Sequence, residues 1–233
     1  MAGVGMNAPR WLDGMVPAFL DVVADAGSWK ARLHAELGRL EGVPFEVVHD
    51  WSAGTVAPLA LETSERRGGD PGLHRAVQAL HRRALAGDRA PAAEWAEALR
   101  PALLEVYRQA FAYAQAHARA HASAIAYARA GTNAKMIEES FGGAEAYAGF
   151  YADLAAGSSA AAFADANSRV NAGFLAAAFA TADADAYGEA HPHAVARAHV
   201  YAHARGCEDF EAGCREAWRR LADGMLECLA RVR

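Results

Sequence analysis

The chain has 233 residues, of which 53% are hydrophobic, and a formal net charge of −5 at pH 7. This length allows one large or two small domains with a buried core. Because the chain is mildly acidic and has no run of five or more basic residues, we expect it to bind neither nucleic acids nor membranes. The most apolar window, residues 160–182, carries Asp165 and Arg169, which argues against a membrane span. Three cysteines without zinc-site spacing, and an amino end unlike a signal peptide, predict a cytoplasmic protein.

Residues 1–88 are predicted to form an N-terminal region of amphipathic helices. The first apolar residues that recur there at helical spacing are Trp11, Leu12, Met15, Phe19 and Val22. A later helix is expected to start near Pro71, at the end of a cluster of glycine and other turn residues, and to stop at Gly87. The remaining residues, 89–233, are expected to form an alanine-rich helical domain.

Alanine follows an unusual pattern between residues 110 and 206, where it occupies 34 even-numbered positions and only three odd-numbered ones. Such alternation usually indicates a β-strand. Here it indicates helices, because alanine is the best helix former and is depleted in strands. The alternating stretches, 110–130 and 160–186, are also much longer than an ordinary strand. The sequence therefore predicts an all-α protein, either a multi-helix bundle or a short solenoid.

Strict alternation of alanine has a geometric consequence on a helix. The surface of an α-helix consists of four rows of residues at i±4 spacing, and two of those rows would be all alanine. These rows form grooves that accept larger side chains from a neighbouring helix. We therefore expect close packing, with crossing angles of about −50° and axes about 8 Å apart. From glycines and capping residues, helices are predicted near 102–130, 134–141, 144–156, 159–187, 192–205 and 208–231.

Two pairs of histidines occur at i, i+4 spacing, His117 with His121 and His199 with His203. Such a pair places two imidazoles on one helix face, close enough to share a metal ion. Two pairs on facing helices could build a transition-metal site inside a bundle. The alternative is that histidine, like tyrosine and arginine, fills the rows between the alanines.

Two further groups of polar residues stand out. Asn167 and Asn171 form an i, i+4 amide pair in a long alanine-rich stretch, where asparagine is unfavourable and buried amides need partners. Lys135 precedes Glu138 and Glu139, and a lysine beside carboxylates can act as an acid, a base or an anion anchor. These three residues are the candidate catalytic groups. The alternative is a solvated helix start with a surface charge pair.

One part of the chain resembles a known group of proteins. The resemblance is carried by the run His81-Arg82-Arg83-Ala84-Leu85-Ala86-Gly87-Asp88, by Ala93-Glu94-Trp95, by Ala-Tyr-Ala alternation and by His191-Pro192-His193. Over residues 75–205, this pattern is similar to the alanine-rich actinobacterial proteins called SpcZ-like, after a spectinomycin-type antibiotic cluster. The resemblance implies a small cytoplasmic protein associated with specialised metabolism, and it transfers no catalytic residue.

These observations predict a helical accessory protein or enzyme that binds or acts on a small molecule in a specialised-metabolite pathway. A ligand pocket is expected between alanine-rich helices, and a metal site within it is an additional hypothesis. The side chains expected to line this pocket are Tyr113, His117, His121, Asn167 and Asn171, with His199 and His203. The alternative is a structural or self-assembling protein without catalytic activity, whose alanine grooves take helices from a second copy.

Overall fold

The computed structural model describes residues 8–23, 25–111, 113–129 and 133–232, and the regular elements in these ranges are helices. In chain order they are α1 (Arg10–Leu20), α2 (Ala26–Arg39), α3 (Glu46–Trp51), a π-helical turn (Ser52–Val56), α4 (Ala57–Arg66), α5 (Pro71–Leu85), α6 (Ala92–Ala110), α7 (Tyr113–Arg129), α8 (Asn133–Phe141), α9 (Ala144–Thr181), α10 (Ala184–Glu189), α11 (Pro192–Ala204) and α12 (Phe210–Arg231). The predicted all-α, multi-helix class is therefore confirmed. Within the same ranges, no helix combines the length and the apolar character that crossing a bilayer requires.

The contacts between residues divide the chain into two compact units. The first unit contains residues up to 110 and from 168 onward, and the second unit contains residues 111–167. Helices α7 and α8 belong to the second unit, whereas α9 begins in the second unit and ends in the first. The boundary predicted after residue 88 lies inside the first unit.

In the first unit, α11 packs against α4, α6 and α12, and α5 packs against α3, α4 and α6. Helix α1 packs against α11 and α12, and the core of the unit includes Trp95 on α6 with Phe19 and Leu12 on α1, all of them fully buried. Trp51 connects this core to α12, because its Nε1 donates a 2.9 Å hydrogen bond to the backbone oxygen of Leu221. Helix α6 therefore contacts both α5 and α11, the two helices that carry most of the buried histidines.

Helix α5 begins and ends where its sequence predicts. Asp70 caps its start, since the Asp70 carboxylate accepts a 2.8 Å hydrogen bond from the backbone N–H of Gly72, and Pro71 occupies the first position. Just past its end, Gly87 has a φ of 84°, a left-handed conformation that glycine adopts without the steric cost of a Cβ. Local chemistry thus sets both ends of this helix.

Helix α9 differs from the prediction, because the break expected at residues 157–159 does not occur. A glycine in a helix interior costs about 1 kcal/mol. Here the flanking alanines favour the helix, and an alanine row that continues across the glycine is buried. The helix ends only at Thr181, after which Ala182 takes a positive φ of 53° and the Asp183 side chain caps α10.

The helix predicted over residues 102–130 is instead two helices, since α6 ends at Ala110 and α7 starts at Tyr113. No glycine or proline marks this break, so the alanine alternation passes through it without a local signal. Pro101 lies inside α6 and does not end it. The carbonyl that Pro101 leaves without its usual helical partner belongs to Glu97, which is exposed and can be hydrated.

One row of alanines on α9 is buried along most of the helix. At i±4 spacing, the alanines no more than 2% exposed are Ala148, Ala152, Ala156, Ala164, Ala172 and Ala176, and Ser168 in the same row is fully buried. A row of larger side chains on another face is more than half exposed, and includes Phe150, Leu154, Val170 and Phe174. The alanine row is thus the packed face of α9, in agreement with close packing on alanine. The crossing angle and the axis separation remain predictions.

Candidate functional site

A cavity of about 70 Å³ lies inside the first unit, between α5, α6, α11 and the end of α9. Its wall is mainly apolar, with Leu99, Ala102, Leu103, Leu175 and Val195 among the lining residues. The polar side chains of the wall are Ser52, His74, His81, Tyr187 and His199. The cavity therefore combines an apolar interior with several groups that can form hydrogen bonds, a combination typical of ligand sites.

Three histidines reach this cavity from two helices. His74 and His81 lie two turns apart on α5, and His199 lies on α11. Their exposed fractions are 4%, 3% and 9%, respectively. Histidine is intermediate in burial in most proteins, and a buried imidazole needs hydrogen-bond partners for its two ring nitrogens. The partners of each ring therefore decide what the cavity can bind.

His81 is paired with a second buried histidine, His49, across a 2.9 Å contact between their Nδ1 atoms. One Nδ1 must donate and the other accept, so the two rings hold opposite tautomers when both are neutral. Burial keeps them neutral: it lowers the pKa of His49 to about 4 and the pKa of His81 well below its usual value, and the neighbouring His49 lowers the latter further. The pair is a neutral element of the core.

Aromatic rings enclose the His49–His81 pair. The His49 ring is stacked on Trp95, with ring centres 5.9 Å apart and planes 15° apart. The centre of the His81 ring lies 4.8 Å from the ring centres of Trp95 and Phe179. This apolar enclosure is the physical cause of the lowered pKa values, because it deprives an imidazolium of hydration.

His74 is held by a carboxylate rather than by another histidine. Its Nε2 lies 3.1 Å from Oε1 of Glu105, and Oε2 of Glu105 accepts a 2.7 Å hydrogen bond from the backbone N–H of Asp70. Burial alone would raise the pKa of Glu105, but these hydrogen bonds lower it overall. Glu105 is therefore ionised at neutral pH, and an ionised carboxylate only accepts hydrogen bonds. A hydrogen bond between His74 and Glu105 must then be donated by His74 Nε2.

His199 is a histidine of the wall with a fully buried ring nitrogen whose hydrogen-bonding capacity is unmet. Its Nδ1 is buried and forms no hydrogen bond with the described part of the chain. Burial lowers the pKa of His199 to about 3, so this ring is also neutral at physiological pH. A buried polar atom without a partner costs free energy and calls for an explanation, such as a water or a ligand.

His203, one helical turn after His199, is also deeply buried. The hydroxyl of Thr63 donates to the backbone oxygen of Leu59 at 2.7 Å, so at 3.3 Å it can only accept from His203 Nδ1. The other ring nitrogen, Nε2, is buried without a partner among the described residues. Burial, followed by the charge of Arg66, lowers the pKa of His203.

Tyr187 completes the polar wall from α10. It is 4% exposed, and its ring packs edge-on against Trp11 and Phe45. Burial raises the pKa of its hydroxyl, which therefore stays protonated at physiological pH. The cavity thus presents the neutral imidazoles of His81 and His199 and a neutral phenol to whatever occupies it.

The predicted metal residues fall in both units. His117 and His121 lie on α7 in the second unit, 3.1 Å from Asp153 and 3.6 Å from Glu145, respectively. His199 and His203 belong to the first unit. Across the ranges that the structure describes, no group of three or more His, Cys, Asp or Glu is arranged to hold a metal ion. The transition-metal hypothesis remains a prediction.

The predicted amide pair takes part in hydrogen bonds within the protein. Asn167 Nδ2 donates to the backbone oxygen of Phe163 at 2.8 Å, and Asn171 Nδ2 donates to the Tyr107 hydroxyl at 2.7 Å. The side chain of Tyr113 lies outside the described part of the structure. Ligand binding by these residues stays a prediction.

The candidate catalytic residues, Lys135, Glu138 and Glu139, are exposed on α8. The Lys135 Nζ lies 4.0 Å from a carboxylate oxygen of Glu139, and their side chains are 89% and 69% exposed. This is the arrangement of a solvated i, i+4 ion pair.

The residues that build the cavity differ from those that the sequence singled out, apart from His199. One signal for them was present in α5: His74, Gln78 and His81 follow i, i+4, i+7 spacing and share the buried face, whereas Leu85 is 40% exposed. A search for polar residues at core spacing would have found this face. Glu105 gives no such signal, because its role depends on the contact of α6 with the turn before α5.

The buried histidines and the carboxylate-held imidazole have to be interpreted from this chain itself. No protein-family model, curated protein or solved structure matches the chain.

Proposed function

We propose that this protein binds a small, uncharged and largely apolar molecule in the cavity of its first unit. The observation that carries the proposal is a cavity in the core whose wall includes His199, a buried histidine with an unpartnered Nδ1. Protein cores are normally packed to crystal density, and their polar atoms are normally paired. A cavity bordered by a polar atom without a hydrogen-bond partner is therefore better explained by a bound molecule than by packing defects alone.

The volume of the cavity limits the size of that occupant. A cavity of about 150 Å³ is enough for benzene. By that scale, the present cavity of about 70 Å³ accepts a molecule of a few non-hydrogen atoms, or the end of a larger molecule that displaces side chains of the wall. Both an accessory protein and an enzyme of a specialised-metabolite pathway would need such a site.

The charge state of the wall limits the chemistry of the occupant. Burial lowers the pKa of His199 to about 3 and the pKa of His81 well below its usual value, so these two rings of the wall offer no positive charge at pH 7. An anion or a cation entering the cavity would lose its hydration without gaining an opposite charge from them. A neutral molecule avoids this cost.

The test is a pair of cavity-filling and control variants on α6. Ala102 lines the cavity, so Ala102→Leu is expected to occupy it and abolish binding, while exposed Ala93→Leu keeps binding unchanged. The probes are 2-propanol, acetone and acetate, each of about four non-hydrogen atoms, for which affinities no better than millimolar are expected. Chemical-shift titrations would follow the methyl groups of Leu99, Leu103 and Val195.

The neutral probes should shift these wall resonances in the wild-type protein and in Ala93→Leu, and acetate should not. Identical titrations for the wild type and Ala102→Leu, or no shifts in the wild type, would contradict the proposal. Ala196→Leu on α11 provides a second filling variant if Ala102→Leu does not fold, because Ala196 also lines the cavity.

Self-assembly is a second candidate function, and one observation in the second unit favours it. Phe150 and Leu154 on α9 are 58% and 67% exposed and lie one turn apart, so they form an apolar strip. Such strips can mark contacts with a second copy. If so, the wild type is larger than a monomer by light scattering, and a Phe150→Gln/Leu154→Gln variant is monomeric. A Phe174→Gln control should keep the wild-type mass, whereas a monomeric wild type removes this candidate.

A further inference from the structure

We infer that the neutral ring of His74 offers an unprotonated Nδ1 to the cavity, so that the bound molecule carries an O–H or N–H group. This inference rests on the proposed function, which supplies the site. It adds that the ligand donates a hydrogen bond to His74. Alcohols and amides can donate such a bond, whereas ketones and ethers of the same size cannot.

The first step is the tautomer of His74. The ionised Glu105 accepts from the backbone of Asp70 with one oxygen and from His74 Nε2 with the other. When the His74 ring is neutral it has one N–H, and the contact with Glu105 places that N–H at Nε2. The opposite nitrogen, Nδ1, must then be an acceptor. It forms no hydrogen bond with the described part of the chain, while His74 lines the cavity.

The glycine at residue 69 leaves the space that the Glu105 carboxylate occupies. A Cβ added at Gly69 would overlap both carboxylate oxygens of Glu105. The absence of a side chain at residue 69 therefore lets the carboxylate reach the backbone N–H of Asp70. The same carboxylate fixes the His74 ring, in the way that a carboxylate orients the histidine of many catalytic sites.

The geometry predicts that Glu105→Gln reverses the tautomer. The N–H of Asp70 can only donate, so the amide oxygen of the glutamine must face it. The amide N–H₂ then faces His74, and Nε2 of His74 must accept. The single proton of the ring moves to Nδ1, which becomes a donor toward the cavity. This variant keeps the size of residue 105 and changes the direction of one hydrogen bond.

Two probes of equal size report that direction. We expect the wild type to bind 2-propanol, which can donate, about tenfold more tightly than acetone, which only accepts. In Glu105→Gln the preference should be lost, because the Nδ1–H then offers acetone a donor. The measurement is a titration of both probes into both proteins, followed by the ring resonances of His74.

The nitrogen chemical shifts of His74 in the unliganded protein provide an independent readout at about pH 8, where an ordinary imidazole is neutral. The inference is supported if Nε2 carries the proton and Nδ1 carries none in the wild type, and if the proton is on Nδ1 instead in Glu105→Gln. A proton on Nδ1 of the wild type overturns it, even if both probes bind and the proposed function stands. If the tautomers are as inferred but neither probe binds, the proposed function fails and the ligand assignment fails with it.

A second variant keeps the test decisive if Glu105→Gln does not fold. Gly69→Ala pushes away only the flexible end of Glu105, so it should preserve the fold and release His74. The expected result is a mixture of the two tautomers and a weaker preference for 2-propanol. Gly38→Ala is the control, because a Cβ at Gly38 meets no atom within 4 Å. Equal tautomer fractions in Gly69→Ala and the wild type would overturn the role of Glu105.

Discussion

Lowering the pH from about 7.5 to about 5 should remove about 4 to 6 kcal/mol from the free energy of unfolding. Three histidines of the first unit, His49, His81 and His199, are buried in the neutral form and have lowered pKa values. In the unfolded chain each of them takes up a proton near pH 6.5, whereas in the folded protein it does not. Below that pH the unfolded state therefore binds more protons, and acid favours unfolding.

The pKa values of the individual histidines set the pH range over which the free energy of unfolding decreases. The stability is fully present above about pH 6.5 and falls as the pH drops from there toward the folded pKa values, about 4 for His49 and about 3 for His199. Each histidine contributes about 1.4 kcal/mol per pH unit within its window. Since small proteins have only about 5 to 15 kcal/mol of stability, we expect this loss to remove a large fraction of the free energy of unfolding at about pH 5.

Urea unfolding at several pH values measures this dependence, and two variants control it. His34 is exposed, so His34→Gln should leave the pH dependence unchanged. The double variant His49→Leu/His81→Leu removes both partners of the buried pair, which leaves neither nitrogen unpaired. The free energy of unfolding of this variant should fall less steeply with decreasing pH than that of the wild type, because its unfolded state takes up about two fewer protons. A wild-type stability that is constant from about pH 7.5 to 5, or an unaltered slope in the double variant, would contradict the assignment.

Replacing Trp95 with alanine should cost about 3 to 5 kcal/mol, the range for truncating a large buried aromatic residue. Trp95 is fully buried, and its ring contacts His49, His81 and Phe179, with ring centres between 4.8 and 5.9 Å away. The alanine leaves a void and also removes the apolar cover of the histidine pair. Water entering that void would raise the pKa values of the pair, so the remaining stability should depend less on pH.

The matched control for Trp95→Ala is Phe174→Ala. Phe174 is 54% exposed on α9, and its truncation should change the free energy of unfolding by about 0.5 kcal/mol or less. Chemical denaturation at about pH 7.5 compares the three proteins, with equal m-values expected for a two-state transition. Equal losses in the two variants would show that the aromatic enclosure of the histidine pair does not stabilise the fold.

Helical structure could be predicted from local chemistry, and helix length only in part. Alanine between residues 160 and 186 indicates a helix because its propensity is intrinsic to the residue. The ends of α5, near Pro71 and Gly87, are equally local and were predicted, and the structure adds Asp70 as the cap of its start. The continuous α9 was missed, because burial of its alanine row across residues 157–159 is a tertiary effect. Where propensity and burial oppose each other, burial prevails, because tertiary packing supplies most of the stability of a helix in a folded protein.

The sequence by itself determined the helical class, the alternation of small and large side chains, and the ends of α5, since each depends on residues within a few positions of one another. Only the tertiary structure decided which histidines meet. His49 and His81 are separated by 32 residues, and His74 and Glu105 by 31, so no spacing rule for a single helix relates them. The protonation state of these groups depends on burial by other helices, and burial exists only once the chain has folded.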